Sequence, residues 1–300
     1  MWKDTKTSLH IRDSDVGVNR PGRAEPPVYR ERVHDPRVLL LMVLAFGCAG
    51  PAREFAGRAA ALGMTAEVVR GTAFDHLVLT RLRPASHRVH VYLGGDGTPW
   101  LGGLPARDPT PRRGLTLALV ARDPAPSLYL GRPCYHGSAD AAECSSALWT
   151  SARYSETVVA SMAAALRRIV AAEGIDEIVW FGYSGGGSLA VLLAARFAES
   201  RAVVTVSANL DTDAWTDVHG EPPLSGSLNP ARQPPLPDHI VQVHYVGGRD
   251  RLVPVGVVQR GVQGAGRVIV VPDHDHTCCW ETSWPAILAE VERFRRAARR

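Results

Sequence analysis

Long apolar runs, net charge and cysteine are all scarce in this chain of 300 residues. The one conspicuous apolar run, Val38 to Phe46, is nine residues long, too short to span a bilayer as an ordinary helix. The formal net charge is +4, from 34 basic against 30 acidic residues, too small and too scattered to argue for nucleic acid as a partner. The single basic cluster, Arg293, Arg295, Arg296, Arg299 and Arg300, ends the last predicted helix, where cations complement the helix dipole. None of the five cysteines forms a C-x-x-C pair, which leaves a zinc ribbon or a thioredoxin-like site without support. No internal repeat or low-complexity block is visible. What remains is an ordinary globular composition, 45% apolar and 21% charged, which argues against wholesale disorder. The length permits one large domain or two small ones around a sizeable core.

The N-terminal region reads differently. Residues 1–37 are polar and without apolar period, as expected of a disordered extension or of sequence ahead of the true start. Arg30, Arg32 and Arg37 then precede the apolar run, the order of a secretory signal. Leu44-Ala45-Phe46-Gly47-Cys48 resembles a bacterial lipoprotein box, with Phe46 bulkier than that box normally holds. Residues 38–48 are therefore expected to direct export, to the periplasm or to a membrane through a lipidated Cys48, from a start near Val28 or Val33. The alternative is a disordered extension followed by a buried strand in a cytoplasmic protein. The other four cysteines fit an oxidising compartment: Cys134 and Cys144 flank a short loop and form a candidate disulfide. Cys278 and Cys279 are adjacent, where a direct bridge is strained, so thiols or longer-range pairing are expected.

From about residue 65, strands and helices alternate. Strands are predicted over 67–70, 76–82, 88–93, 127–130, 178–181, 202–206, 240–246 and 267–271. Helices are predicted over 111–123, 155–172, 188–198 and 284–300. In the second helix Val158, Met162, Leu166, Ile169 and Val170 share one face, and Gly174 follows as its stop. The alternation predicts an α/β fold, a mostly parallel sheet with helices on both faces. One segment, Asp211 to Asp238, breaks the rhythm with six prolines and reads as a lid-like loop above the sheet's C-terminal edge.

Gly182-Tyr183-Ser184-Gly185-Gly186 fits the G-x-S-x-G nucleophile elbow, and it lies between a predicted strand and a predicted helix. Such a turn presents the Ser184 hydroxyl at a helix N-terminus, where free N–H groups favour a developing oxyanion. A serine nucleophile requires a base, and the base requires an orienting carboxylate. In the order that an elbow enzyme demands, Asp250 follows a strand and a glycine turn, with Asp211 as the rival acid. His276 follows the last strand, with His274 as the rival base. The run Asp273-His274-Asp275-His276 also carries metal-ligand types, but no second ligand cluster accompanies it, so no metal is expected. The oxyanion donors expected are the amides of Gly185 and of Asp96, the latter in the turn Gly94-Gly95-Asp96-Gly97. Trp100 and Trp215 are candidates for an acyl pocket or for packing.

The elbow, Asp250 and His276 together resemble the α/β-hydrolase superfamily over residues 65–300. Tyr92-Leu93-Gly94-Gly95-Asp96-Gly97, Gly131-Arg132-Pro133-Cys134 and Arg153-Tyr154-Ser155 resemble a bacterial branch that is often exported or lipid-anchored. That branch commonly has Glu where this chain has Gly94. The resemblance implies a single α/β-hydrolase domain over 49–300 with residues 211–238 as its lid-like insertion. It also implies an acyl-enzyme mechanism on a small acyl substrate, without a cofactor. The expected activity is hydrolysis of a carboxylic ester. The alternatives are an acyltransferase or peptidase using the same triad, or a non-catalytic exported binding protein on the same scaffold.

Overall fold

A computed structural model of the chain describes residues 50–83 and 86–298. The predicted extension, the signal-like run and Cys48 lie outside the described residues. Among the described residues no helix is long and apolar enough to cross a membrane.

Ile178-Val179-Trp180-Phe181 shows how the sheet is made. Successive side chains of a strand point to opposite faces, so an unbroken apolar run must be covered on both. Ile178 and Trp180 enter one core and Val179 and Phe181 the other, all 0–2% exposed. The strand they belong to, β7 (Glu177–Tyr183), is central in an eight-stranded sheet. Its companions are β1 (Thr65–Arg70), β2 (Asp75–Arg81), β3 (Arg88–Leu93), β6 (Ser127–Leu130), β8 (Ser200–Val206), β9 (Val241–Gly247) and β10 (Arg267–Val271). The order is β1-β2-β6-β3-β7-β8-β9-β10, with β2 antiparallel to both neighbours and the rest parallel. A separate two-stranded ribbon, β4 (Trp100–Leu101) with β5 (Leu104–Pro105), follows the turn after β3.

Helices complete both layers. On one face α3 (Glu156–Glu173) and α4 (Gly185–Ala194) pack Met162, Leu166 and Leu189 against Val91, Trp180 and Val203. On the other, α2 (Leu115–Ala121) and α7 (Trp280–Ala298) pack Leu117, Trp280 and Trp284 against Tyr92, Phe181 and Val204. A helix preceding the sheet, α1 (Pro51–Ala61), adds Phe55 and Ala59 to this second core. In α3 the Ser155 hydroxyl accepts from the Val158 N–H at 3.3 Å, and Gly174 closes the helix with φ 62°. Both ends carry the caps that their residue types favour.

Four predicted elements are corrected. The helix expected from Pro111 begins at Leu115, because residues 109–111 are tied to the turn after β3, with Thr98 N–H donating to Pro109 O at 3.0 Å. The helix after the elbow begins at Gly185 rather than Ser188, three glycines of poor propensity being held helical by tertiary packing. The last helix begins at Trp280, which leaves Pro285 inside it. The segment Asp211 to Asp238 is not all loop: it contains α5 (Thr212–His219) and a 3-10 turn at Pro230–Arg232. Beyond it, α6 (Val255–Gly261) is a further helix that periodicity did not reveal.

Register decides where chemistry is possible. Leu93 pairs with Gly182, Tyr183 with Val206, Val206 with Tyr245 and Val271 with Gly247. The C-terminal ends of five strands are thus level, and the loops that leave them share one edge, where open α/β sheets bind ligands.

Candidate active site

Ser184 follows β7 directly and caps α4. Its φ of 53° and ψ of −129° are strained for a residue with a side chain. The strain is held by neighbours: Ser184 N–H donates to Val206 O at 2.9 Å. A Cβ on Gly182 would lie 2.4 Å from Gly186 O, and one on Gly186 would lie 2.2 Å from Leu93 O. Strand and helix cross this closely only because both positions are glycine. As the first residue of α4, Gly185 has an N–H without an intrahelical acceptor.

Asp250 and His276 come from the loops after β9 and β10, which are joined backbone to backbone. Arg249 N–H donates to His274 O at 2.9 Å and Gly248 N–H to Val271 O at 2.8 Å. Asp250 Oδ1 accepts the N–H groups of Leu252 and Val253 at 2.9 and 2.8 Å. Its Oδ2 faces His276 Nδ1 at 2.9 Å, and His276 Nε2 faces Ser184 Oγ at 3.1 Å. The Asp250 side chain is fully covered and that of His276 is 13% exposed. A carboxylate only accepts, so Nδ1 carries the imidazole proton and Nε2 is left to accept from the serine hydroxyl. The Tyr183 ring lies 5.2 Å from the imidazole.

The rival residues are engaged elsewhere. The Asp211 carboxylate caps α5, accepting from Asp213 and Ala214 N–H at 3.1 and 3.2 Å. His274 Nε2 meets Ser283 Oγ at 2.9 Å and its ring stands edge-on to Trp280. In the same run Asp273 pairs with Arg249 at 2.6 Å, and Asp275 caps the following turn. Backbone N–H groups of Cys278 and Thr277 hold the Asp275 carboxyl below its ordinary range. The two cysteines of this turn depart from expectation. Cys278 and Cys279 are bridged to each other, at a turn where Cys279 takes φ 76°.

The turn after β3 reaches the same place. An atom placed as Cβ on Gly95 would lie 3.2 Å from Ser184 Cβ. The Asp96 N–H has no acceptor among the described residues, whereas its carboxylate is crowded. Arg132 Nη2 lies 2.7 Å from Oδ1, Arg153 Nη1 2.8 Å from Oδ2, and Tyr154 Oη 2.8 Å from Oδ2. Burial pushes this carboxyl up, but the guanidinium charges of Arg132 and Arg153 outweigh it and hold the group down at about 2. At Gly94 a Cβ would approach Tyr129 Oη to 2.9 Å, so Tyr129 occupies the room that a glutamate would take.

No protein-family model matches the chain, and no curated protein matches its sequence. Solved structures do resemble it. A membrane phospholipase A, described as a novel bacterial virulence factor, superposes with a TM-score of 0.55 at 17% identity, over 87% of this chain and 97% of that one. An esterase of Pyrococcus furiosus gives 0.53 at 15% identity, over 78% and 92%. A serine hydrolase without a lid from Xanthomonas campestris gives 0.50 at 12%, over 77% and 94%. This chain has the α/β-hydrolase fold.

Within that fold, Ser184, His276, Gly95 and Asp96 line a cleft of about 1270 Å³. Leu62, Trp100, Leu115, Leu224, Leu252 and Val253 are among its walls, so most of the lining is apolar. Trp215 also lines it and donates from Nε1 to Leu252 O at 2.8 Å. The predicted lid-like segment contributes Trp215, Glu221 and Leu224 to this lining. Cys134 and Cys144 are joined, with Cα atoms 5.6 Å apart. Sequence reasoning gave no role to Arg132, Tyr135, Arg153 or Tyr154. The only signal was the Gly-Arg-Pro-Cys and Arg-Tyr-Ser stretches that carried the resemblance to a bacterial branch, and Tyr135 lies just beyond the first of them.

Proposed function

We propose that this protein is a serine hydrolase that cleaves a carboxylic ester through an acyl-enzyme. One observation carries the reading: an unbroken chain of contacts, Ser184 Oγ to His276 to Asp250, whose first two members line a large, mostly apolar cleft. His276 takes the hydroxyl proton as Ser184 attacks the ester carbonyl, and Asp250 stabilises the imidazolium that forms. The N–H groups of Gly185 and Asp96 receive the oxyanion. His276 then protonates the departing alcohol, and the acyl group remains on Ser184. In the second half His276 removes a proton from water, which attacks the acyl carbonyl, and then returns that proton to Ser184 Oγ as the acid is released. The mostly apolar walls suit an acyl chain, although Arg58, Arg112, Arg113 and Arg122 also line the cleft. The Cys134–Cys144 bridge supports a site of action in an oxidising compartment. Mass analysis of the native protein tests export, which an unprocessed residue 1 would overturn.

The activity is tested with a fluorophosphonate probe and a series of p-nitrophenyl esters of increasing chain length. The wild type takes one label, Ser184→Ala takes none, and turnover of esters exceeds that of matched amides. A folded wild type that takes no label overturns the reading and favours a binding scaffold.

A further inference from the structure

We propose that Arg132 and Arg153, with Tyr135 and Tyr154, are positioning residues for the oxyanion pocket: they clamp Asp96 so that its backbone N–H faces the reacting carbonyl. The inference rests on the serine-hydrolase reading.

Asp96 is fixed on two sides at once. Its carboxylate is shared between two guanidiniums and the Tyr154 hydroxyl, as described above. Its carbonyl oxygen accepts from Tyr135 Oη at 3.0 Å. With side chain and carbonyl both held, the Asp96 Cα is anchored, which narrows the directions open to its N–H. A preorganised donor stabilises a transition-state charge without reorganising during reaction.

The clamp is built inside the protein. Arg132 is 4% and Arg153 5% exposed. The Arg132 guanidinium lies over the rings of Tyr135 and Tyr154, 5.7 and 5.4 Å from their centroids. Its Nε and Nη1 have no hydrogen-bond partner among the described residues, so the π faces, Asp96 and Gly94 O, 3.5 Å from Nη2, are what hold its charge. Arg132 and Tyr135 flank Cys134, whose bridge to Cys144 ties their segment down.

Charge explains why one carboxylate receives two cations. An atom placed as Cβ on Gly185 would fall 2.0 Å from Asp96 Oδ1 and 2.3 Å from Tyr154 Oη. The Asp96 carboxylate therefore touches the residue that supplies the other oxyanion donor. Alone it would repel a developing oxyanion; with one carboxylate against two guanidiniums the cluster carries +1 toward it.

The test measures kcat per titrated active site, KM, and affinity for a trifluoromethyl ketone, whose adduct places an oxyanion in the pocket. Arg132→Met, Arg153→Met and Tyr135→Phe are compared with Arg295→Met. Arg295 is another buried arginine, 3% exposed and paired with Glu177 and Glu292 at the far side of the sheet. A clamp predicts that kcat per site falls about 10- to 100-fold in the first two and about threefold or more in Tyr135→Phe. KM stays within twofold, and ketone affinity falls by the same factor as kcat/KM. Arg153→Lys, which keeps the charge but not the fork, recovers part of the loss. Arg295→Met loses stability with kcat per site unchanged. If the methionine variants fail to fold, Tyr135→Phe decides, since it removes one hydroxyl. An active, labelled wild type whose Tyr135→Phe and foldable arginine variants keep kcat per site within twofold overturns the clamp alone. A wild type that takes no label overturns the serine-hydrolase reading and this inference with it.

Discussion

Leu93 and Gly182 are register partners on adjacent parallel strands, and this one pairing sets the Gly94–Gly97 turn against the Ser184 elbow. Leu93 is the last residue of β3 and Gly182 the last but one of β7, so the two loops that follow leave side by side. Gly95 then touches Ser184, and Asp96 touches Gly185. A shift of one residue in this register would turn every side chain of the strand to the wrong face.

The acid is the first prediction. Asp250→Asn keeps the shape of the side chain but removes the charge that orients His276, and kcat is expected to fall about 10⁴-fold. Asp211→Asn leaves kcat within twofold and at most loosens the start of α5, since asparagine also caps. Steady-state kinetics on the pair checks both; a greater loss in Asp211→Asn would reverse the assignment.

Gly186→Ala tests the crossing of strand and helix. The added methyl meets Leu93 O, a backbone atom that cannot move aside, so a destabilisation of about 1–3 kcal/mol or more is expected. Urea unfolding of the variant measures it. Gly256→Ala, where a Cβ would have nothing within 4 Å, is the matched control and should be near neutral.

Three histidines set an acid limit on stability. Burial lowers His76, His136 and His244 to about 4, and at His76 it outweighs the hydrogen bond to Gly131 O at 3.0 Å, which acts the other way. Folded-state values below the ordinary 6.5 mean that the unfolded chain binds protons first. Stability is therefore complete above about pH 6.5 and falls as pH drops toward 4. The melting temperature should decline over that window, and His244→Asn should flatten the decline.

The Cys134–Cys144 bridge closes a loop of sequence separation 10, worth about 3 kcal/mol by loop entropy. Cys134→Ser with Cys144→Ser should lower the urea midpoint accordingly. Because the bridge anchors Arg132 and Tyr135, kcat per titrated site should fall as well. Active-site titration separates the two effects.

The α/β layering was readable because parallel strands buried on both faces are continuous apolar runs, as at residues 178–181, and because α3 kept a strict helical period. Ser184, Asp250 and His276 were readable for a related reason: each follows a strand end that the apolar pattern marks. The pairing of Arg132 with Asp96 was not. They are far apart in sequence, and the pairing depends on β6 lying beside β3, which no local pattern encodes. The start of α4 was missed because glycine opposes helix in propensity, and only the crowding around Gly182 and Gly186 reveals why it is there. The α5 helix was hidden among prolines, although Asp211 at its start is a common cap.

Ser184 and His276 are 92 residues apart in the chain, and His276 and Asp250 are 26 apart. Their meeting depends on the alignment of β7, β9 and β10, contacts of high sequence separation that form slowly in folding. Reactivity of Ser184 is thus a late event in the life of a refolding molecule. In a refolding time course, helical signal should return first and fluorophosphonate labelling last, so the probe would report completion of the sheet as well as the presence of an enzyme.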